Sequence, residues 1–272
     1  MMTISQLFVY PIKSLGGFEI DKAEVTDRGF KHDRRWMLVD SQHRFMTQRE
    51  IPQLALLKTS IEQEQLIVTH SIQTGNSIRF PIGLSNGNKI QVTVWEDECE
   101  ALEAKKEINA WFSQQLNMEC KLVYMPDESL RKVDPDYSID HEITSFSDAY
   151  PFLIIGQSSL NDLNSKLPVP VPMNRFRPNI VFEGGYAFEE DEMQHFVINT
   201  IEFFGVKPCA RCVVTTIDQQ KAEKGKEPLK TLSSYREKNN KIYFGQNLLH
   251  KGNGLIQKGD ELHILKRKSP LF

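Results

Sequence analysis

Short runs of β-branched and aromatic residues, broken at close intervals by turn residues, dominate the first hundred positions of the chain. Between Ile4 and Asp97 these runs are ISQLFVYPIKS, FEIDKAEVTD, RRWMLVDSQHRFMT, LALLKTSIEQEQLIVTH, IRFPIGL and KIQVTVWED. Runs of this length and composition, bounded by turn residues, are typical of β-strands. Many strands at such close spacing predict a β-barrel or a β-sandwich.

A change of period predicts one helix and, after it, a boundary between two domains. Residues 100–117, EALEAKKEINAWFSQQLN, place apolar side chains at helical spacing among good helix formers. The chain then becomes polar between Pro126 and Ser147, which is typical of a long excursion between domains or over a site. We therefore expect a first domain over residues 1–125 and a second over residues 126–272.

The second half returns to strand patterns after one short helix. The apolar run YPFLII leads into a helix that Ser158 or Ser159 caps and that must end before the prolines of LPVPV. Strand patterns follow in PNIVFEGG, QHFVINTIEFFGV, CVVTTID, KIYFGQNLLH and DELHILK. The expected fold class is therefore mainly β with some α.

The length and charge of the chain restrict its partners and its location. A chain of 272 residues admits one large domain or two medium ones. Its net charge of -3 gives no reason to expect nucleic acid or an acidic membrane as a partner. The first residues do not resemble a signal peptide, and no apolar run approaches the roughly 20 residues of a spanning helix. We therefore expect a soluble, cytoplasmic protein with no membrane partner.

Two of the four cysteines, Cys209 and Cys212, lie three positions apart in KPCARCVVTTID. A closed zinc site needs four ligands, and the chain has neither a second cysteine pair nor a histidine pair at ligand spacing nearby. A thioredoxin-like redox pair opens a helix, whereas the sequence after Cys212 predicts a strand. Residues three apart on a strand fall on opposite faces, so we expect the two thiols not to face one site.

Two interpretations of this cysteine pair remain open on residue chemistry alone. Burial as small core residues is the usual fate of free cysteine. Arg211, which lies between the two cysteines, favours instead a reactive thiolate, and a soft thiolate suits a soft metal.

Several stretches of the chain resemble one protein family, the MOSC domain, which is named for the C-terminal part of molybdenum cofactor sulfurase. These stretches are, in chain order, VYPIKSLGG, DRRWMLVD, FMTQRE, SFSDAYPFLII, NRFRPNIVFEG, KPCARCVVTTID, KEPLKTLSSYR and GLIQKGDELHIL. Within that superfamily the chain most resembles the mitochondrial amidoxime-reducing component group and its bacterial relatives. The resemblance extends over nearly the whole chain.

The resemblance implies both an architecture and a cofactor. The architecture is an N-terminal MOSC-associated β-barrel domain followed by the MOSC β-barrel. The cofactor is a molybdenum cofactor of the molybdopterin type, with one cysteine as the protein ligand to the metal. By position in the motif, that metal ligand and catalytic residue is Cys212, and Cys209 is a neighbour without that role.

The matched stretches also contain the groups that grip a molybdopterin phosphate: arginine forks, lysine charges and hydroxyls. The resemblance implies cofactor-binding roles for Lys13, Ser14, Arg34, Arg175 and Arg177, and Ser147 represents the hydroxyl groups of the relatives. The chemistry of the side chains adds Arg35 as a phosphate donor and Asn179 as a hydrogen-bond partner of the pterin edge. The chain departs from the family at two places. Arg175 stands where the relatives have Asn, and Ala149 and Tyr150 stand where they have hydroxyl groups.

Asp148, in SFSDAYP, has two interpretations. As a catalytic residue, it orients the substrate or an arginine near the metal. As a structural residue, it caps the turn before Tyr150 and Pro151, which is a common role of aspartate.

The family reduces N-hydroxylated compounds by two electrons, cleaving the N–O bond and releasing water. Bacterial relatives often carry a C-terminal ferredoxin-like domain with four cysteines for an iron–sulfur cluster. This sequence ends at Phe272 without one, so we expect a separate electron-donor protein that carries an iron–sulfur, flavin or haem group. Two rival functions remain: a carrier of molybdopterin, or of persulfide sulfur on Cys212, that reduces nothing, and a β-rich interaction module.

Overall fold

The computed structural model describes all residues from 1 to 272 and consists mostly of β-strands. The strands of the first half are β1 Met2–Val9, β2 Phe18–Ile20, β3 Lys22–Thr26, β4 Gly29–Phe30, β5 Trp36–Val39, β6 Leu57–Glu62, β7 Gln65–His70, β8 Ser77–Pro81, β9 Lys89–Val94, β10 Asp97–Glu103 and β11 Lys121–Tyr124. Those of the second half are β12 Arg131–Lys132, β13 Ile143–Thr144, β14 Phe152–Gly156, β15 Ile180–Glu183, β16 Met193–Ile198, β17 Ile201–Ala210, β18 Glu237–Lys238, β19 Lys241–Lys251, β20 Gly254–Gln257 and β21 Glu261–Arg267.

The helices are few and short. The α-helices are α1 Lys106–Leu116, α2 Gln157–Lys166 and α3 Leu229–Ser233, and the 3-10 turns are Pro52–Leu56, Met173–Arg175, Glu189–Asp191 and Val213–Thr216. None of these helices is both long enough and apolar enough to cross a membrane.

Seven strands close into a β-barrel. Their order is β14, β15, β1, β21, β16, β17 and β19, and β19 pairs back to β14. Because side chains alternate along each strand, one set points inward and fills the barrel. That core contains eighteen buried apolar residues, among them Ile4, Phe152 and Phe203. The expected fold class, mainly β with some α and built on a barrel, is confirmed.

Strands β5 to β11 form two smaller sheets around α1. One sheet has the order β5, β11, β10 and β9, and the other has the order β6, β7 and β8. Phe112 of α1 is fully buried in the same apolar cluster as Trp36 of β5 and Leu66 of β7. This packing explains why the α1 sequence carries an apolar stripe.

Strands from the first 125 residues are built into the second half. β1 lies between β15 and β21 in the barrel sheet, and β3 pairs with β20. A barrel strand therefore comes from the start of the chain, although the remaining barrel strands follow residue 150. The division at residue 126 stays a prediction.

Three local predictions need correction. The helix expected from residue 100 begins at Lys106, because residues 97–103 form β10 and pair with β9. The second helix lies where expected, but Gly156 precedes it and no side chain caps it. Ser159 is instead buried, where its hydroxyl donates to Glu190 Oε2 at 2.7 Å. The strand expected after Cys212 is a 3-10 turn over Val213–Thr216.

Candidate functional site

A cavity of about 150 Å³ opens where the loop after β1, the loop after β13 and the end of β17 meet. We call it the inner cavity. It is lined by nine of the ten residues that the sequence singled out: Lys13, Ser14, Arg34, Ser147, Asp148, Arg175, Arg177, Asn179 and Cys212. Cys209 and Arg211 line it as well. Side chains that are far apart in the sequence therefore meet in one place.

Arg35 is the residue that the structure does not bring to this cavity. Its guanidinium Nη2 pairs with Asp127 Oδ1 at 2.7 Å, and its Nε donates to the Met125 carbonyl at 3.1 Å. Its guanidinium also stacks on Tyr124, 5.1 Å from the ring centroid. Arg34 lies in a turn, with φ of 49°, and lines the cavity, whereas the side chain of the next residue, Arg35, points away toward Asp127.

Both thiols of the cysteine pair line the inner cavity, so the expectation that they cannot face one site is wrong. The ladder between β17 and β19 is irregular from Pro208 to Ala210, and β17 ends at Ala210. A 3-10 turn begins directly after Cys212, so strand alternation does not apply to this segment. Burial raises the pKa of the Cys209 thiol, although the Arg211 charge opposes the shift.

Lys13 and Asp148 form an ion pair at the wall of the cavity. Lys13 Nζ donates to Asp148 Oδ1 at 2.6 Å and to the Phe146 carbonyl at 2.8 Å. Only 5% of the lysine side chain is exposed, and this burial lowers the pKa of Lys13 to about 8 against the opposing pull of Asp148. The Asp148 carboxylate is 75% exposed toward the open cavity. Loss of bulk water opposes its ionisation, but the Lys13 charge outweighs this and holds the pKa of Asp148 well below its usual range.

Two arginines that line the cavity, Arg34 and Arg177, enclose the ring of the buried Tyr10. The guanidinium carbons of Arg34 and Arg177 lie 4.5 Å and 4.3 Å from the Tyr10 ring centroid. Arg34 pairs with Asp33 at 2.6 Å, whereas Arg177 forms no ion pair and donates to the Leu15 carbonyl at 2.7 Å. Burial, aided by the neighbouring Arg34 charge, lowers the pKa of Arg177 to about 10.

Buried donors without hydrogen-bond partners indicate what kind of ligand would fit this part of the cavity. Arg211 donates through Nε and Nη1 to the carbonyls of Phe244 and Phe176, but its buried Nη2 has no partner. The buried Tyr10 hydroxyl has none either. A buried donor left unpaired costs free energy, so these groups fit a bound anion such as a phosphate.

Three residues that line the cavity have a strained backbone. Ser14, Arg34 and Arg177 all have φ between 49° and 69°, the left-handed region that residues with a side chain seldom adopt. Each such residue costs roughly 1–3 kcal/mol, and such strain clusters at functional sites. The backbone is therefore held in an unfavourable form where the cationic side chains converge.

Three more of the predicted cofactor residues, Ser147, Asn179 and Arg175, also have partners within the protein. Ser147 donates to the Tyr150 carbonyl at 2.8 Å, and Asn179 accepts from Arg34 Nη1 at 3.2 Å. Arg175 pairs with Asp218 at 2.8 Å. These three side chains are held in the wall by contacts within the protein, and Asn179 orients Arg34.

A second, larger space of about 1240 Å³ opens outward from the inner cavity; we call it the vestibule. Five residues line both spaces: Thr47, Arg49, Trp95, Asp148 and Ala149. We call these five the neck. Thr47, Arg49 and Trp95 were not predicted from the sequence, although a tryptophan at the tip of the VWED hairpin was a usable signal.

No group of three or more His, Cys, Asp or Glu side chains converges anywhere in the structure as a set able to hold a metal ion. The cavity instead combines two thiols with arginine and lysine donors.

Comparison with known proteins adds the family. Residues 1–119 match the MOSC N-terminal beta barrel domain, and residues 141–263 match the MOSC domain. The chain is 32% identical to mitochondrial amidoxime-reducing component 1 of Mus musculus over 97% of this chain and 82% of that protein. It is 34% identical to mitochondrial amidoxime reducing component 2 of Rattus norvegicus, over 86% and 72%.

A molybdenum cofactor sulfurase of Arabidopsis thaliana is also similar, with 30% identity over 89% of this chain but only 32% of that longer protein. Both parts of the chain thus match MOSC-type domains in the expected order. The chain therefore belongs to the MOSC-domain family that includes the mitochondrial amidoxime-reducing components.

Proposed function

We propose that this protein binds a molybdenum cofactor of the molybdopterin type in the inner cavity and reduces N-hydroxylated compounds there. The observation that carries the proposal is the meeting, in one cavity, of the Cys209 and Cys212 thiols with cationic donors that lack partners. A soft metal suits a thiolate, and a phosphate suits arginine donors. The names of the relatives support a reductase of this type.

Each end of such a cofactor has residues to hold it. Cys212, two residues after the end of β17, would supply the thiolate ligand. Arg211 would bind the phosphate through Nη2, which has no partner in the protein, and Arg177 and Ser14, which line the same cavity, would add further donors. When bound, the cofactor supplies a redox metal that exchanges two electrons with the substrate.

The ion pair of Lys13 and Asp148 presents an ionised carboxylate to the substrate. Lys13 holds one oxygen of Asp148, and the other oxygen, Oδ2, makes no hydrogen bond within the protein. That oxygen is free to accept from the N–H or O–H of an N-hydroxy group. The reaction balances as one N–OH group plus two electrons and two protons giving one N–H group and one water.

The electrons would come from a separate protein with an iron–sulfur, flavin or haem group. The other two cysteines, Cys99 and Cys120, are buried in different apolar clusters and are not placed to hold a redox cluster. The vestibule gives such a donor an approach to the inner cavity. Action in the cytoplasm stays a prediction, because the named reductase relatives are mitochondrial proteins.

Turnover of an amidoxime tests the proposal. Protein made in a host that synthesises the cofactor is supplied with electrons from a reduced viologen dye, and formation of benzamidine from benzamidoxime is followed by chromatography. We expect turnover by the wild type, none by Cys212→Ala, and most of the activity in Cys209→Ala. Loss of activity in Cys209→Ala equal to that in Cys212→Ala would contradict the ligand assignment.

A sulfur carrier is the second candidate, favoured by the partly exposed Cys212 thiol and by the similarity to a molybdenum cofactor sulfurase. In that case Cys212 would carry a persulfide, formed when a donor persulfide transfers its outer sulfur to the thiolate. Intact-protein mass spectrometry after incubation with a persulfide donor distinguishes the two. A mass increase of one sulfur atom that is absent in Cys212→Ala, together with no benzamidoxime turnover, would favour the carrier.

A further inference from the structure

The neck contains a stacked aromatic and cationic assembly that the cofactor site does not use. The Arg49 guanidinium carbon lies 4.6 Å from the Trp95 ring centroid, and the Phe45 ring lies 4.8 Å from it at a tilt of 54°. Arg49 forms no ion pair, and its buried Nε has no hydrogen-bond partner. A guanidinium that stacks on an aromatic ring and has an unpaired N–H donor forms a surface suited to a flat, polarisable group.

Trp95 is held at this place at a conformational cost. It is the first residue of the two-residue turn between β9 and β10, since Val94 pairs with Asp97. Its φ is 60°, a value that favours glycine at this turn position and disfavours a bulky side chain. The indole is nevertheless 37% exposed and lines both the inner cavity and the vestibule. Burial of the ring in a core therefore does not explain why the turn carries a tryptophan.

Polar groups beside the ring point to a ligand with its own hydrogen-bonding edge. Thr47 is only 8% exposed, lines both spaces and has a hydroxyl with no partner. Trp95 Nε1 donates to Asp148 Oδ1 at 3.3 Å, which fixes the indole beside that carboxylate. A flat group lying on Trp95 thus has an unused hydroxyl at Thr47 and a free carboxylate oxygen at Asp148 within the same neck.

We propose that Trp95 and Arg49 form a stacking platform for the flat, conjugated N-hydroxy group of the substrate, which makes Trp95 a specificity-determining residue. The platform favours amidoximes and N-hydroxylated heterocycles over aliphatic hydroxylamines, because only the conjugated compounds present a planar π-face next to the N–OH group. This inference rests on the proposed reductase function.

The pterin of the cofactor is a second flat group that could stack on this platform. The cationic residues that suit the phosphate, Arg177 and Arg211, line the inner cavity and not the vestibule. Trp95 and Arg49 line both. The platform therefore lies on the entry side of the cavity, where a substrate arrives, and not on the side that anchors the cofactor.

A binding experiment without turnover tests the platform directly. Benzamidoxime is titrated by calorimetry into oxidised holoprotein with no electron donor present. Stacking of a flat ring on an aromatic side chain contributes to the free energy of binding. We therefore expect Trp95→Ala to weaken the Kd for benzamidoxime by about tenfold. Trp95→Phe should keep most of the affinity, because it retains an aromatic ring. We expect Arg49→Ala to weaken the Kd as well. The matched control, Arg79→Ala, should leave the Kd unchanged, because Arg79 is an exposed arginine of β8 that pairs with Glu62 away from the site.

The ratio of two substrates gives the second measurement. We expect Trp95→Ala to lower kcat/KM for benzamidoxime about tenfold more than for N-methylhydroxylamine, which has no conjugated plane. Equal losses for the two substrates, or an unchanged Kd for benzamidoxime, would overturn the platform. A fall in molybdenum content in Trp95→Ala would also overturn it, since the ring would then hold the cofactor. Benzamidoxime binding that depends on Trp95, without turnover in the wild type, would support the platform and contradict the reductase function.

Discussion

At the scale of single residues, Lys13 shows most clearly that the residues of the cavity lower the stability of the fold. A buried ammonium is unfavourable unless it is well paired, and the partner of Lys13 is a carboxylate that faces open space. The sequence block VYPIKS gives the residue and its family role. It does not give the burial, because the loop is covered by Phe146 and its neighbours from the second half of the chain.

The buried charge of Lys13 predicts a specific pH dependence of stability. The pKa of Lys13 is about 8 in the folded protein and about 10.5 in the unfolded chain. Between these values the unfolded chain binds a proton that the folded protein does not, so the free energy of unfolding rises with pH by about 1.4 kcal/mol per unit. We expect the free energy of unfolding, measured with urea between pH 8 and 10, to rise less steeply with pH in Lys13→Met than in the wild type. Identical pH slopes for the two proteins would contradict the assignment.

The neck residues mark the limit of prediction at this scale. Trp95 and Thr47 lie in ordinary strand and turn patterns, and nothing in their spacing indicates that β9 and the FMTQRE segment meet. Arg35 is the opposite case. It shares a motif with Arg34, but the direction of its side chain depends on local backbone geometry that the motif does not specify.

At the scale of secondary-structure elements, β19 and β14 form the seam that closes the barrel. Gly245 lies at this seam with φ of 81°, and an added Cβ would meet Ile155 Cγ1 at 2.7 Å and the Ile154 carbonyl at 3.0 Å. Only glycine fits both the backbone conformation and the space.

Substitution of this glycine predicts a large loss of stability. Gly245→Ala combines left-handed strain with a steric overlap, so we expect it to lower the free energy of unfolding by roughly 3 kcal/mol. Gly75→Ala is the matched control, because Gly75 has φ of 78° but nothing within 4 Å of an added Cβ. We expect that variant to lose only about 1 kcal/mol, by denaturant unfolding. Equal losses would mean that the seam tolerates the added methyl group.

Element types were largely predictable, whereas the ends of elements were not. Alternation of apolar residues gave most strands, and α1 and α2 were expected from period and composition. The segment Val213–Thr216 has four β-favouring residues but forms a 3-10 turn, in which the N–H and the hydroxyl of Thr215 both donate to the Cys212 carbonyl.

At the scale of the whole molecule, the two halves share one barrel. Ile4, Leu7 and Val9 of β1 are buried in the barrel core with residues from β14 to β21. The mainly β class and the order of the domains followed from sequence and resemblance. The insertion of β1 between β15 and β21 did not, because strand order in a barrel depends on pairings between distant segments.

This interlocking predicts how a fragment behaves. A chain of residues 126–272 lacks β1, leaves the edges of β15 and β21 unpaired and exposes barrel core. We expect this fragment to show no cooperative thermal transition alone, and residues 1–272 to show one. A fragment that unfolds cooperatively with native-like amide dispersion would instead support independent folding of the second domain.

The molybdenum content of the purified protein tests the central claim, that the inner cavity holds the cofactor through Cys212. Plasma mass spectrometry is applied to wild type, Cys212→Ala and Cys209→Ala, all made in a host that synthesises the cofactor. We predict near-stoichiometric molybdenum in the wild type and in Cys209→Ala, and little in Cys212→Ala. Absence of molybdenum from all three proteins, or equal amounts in wild type and Cys212→Ala, would contradict the claim.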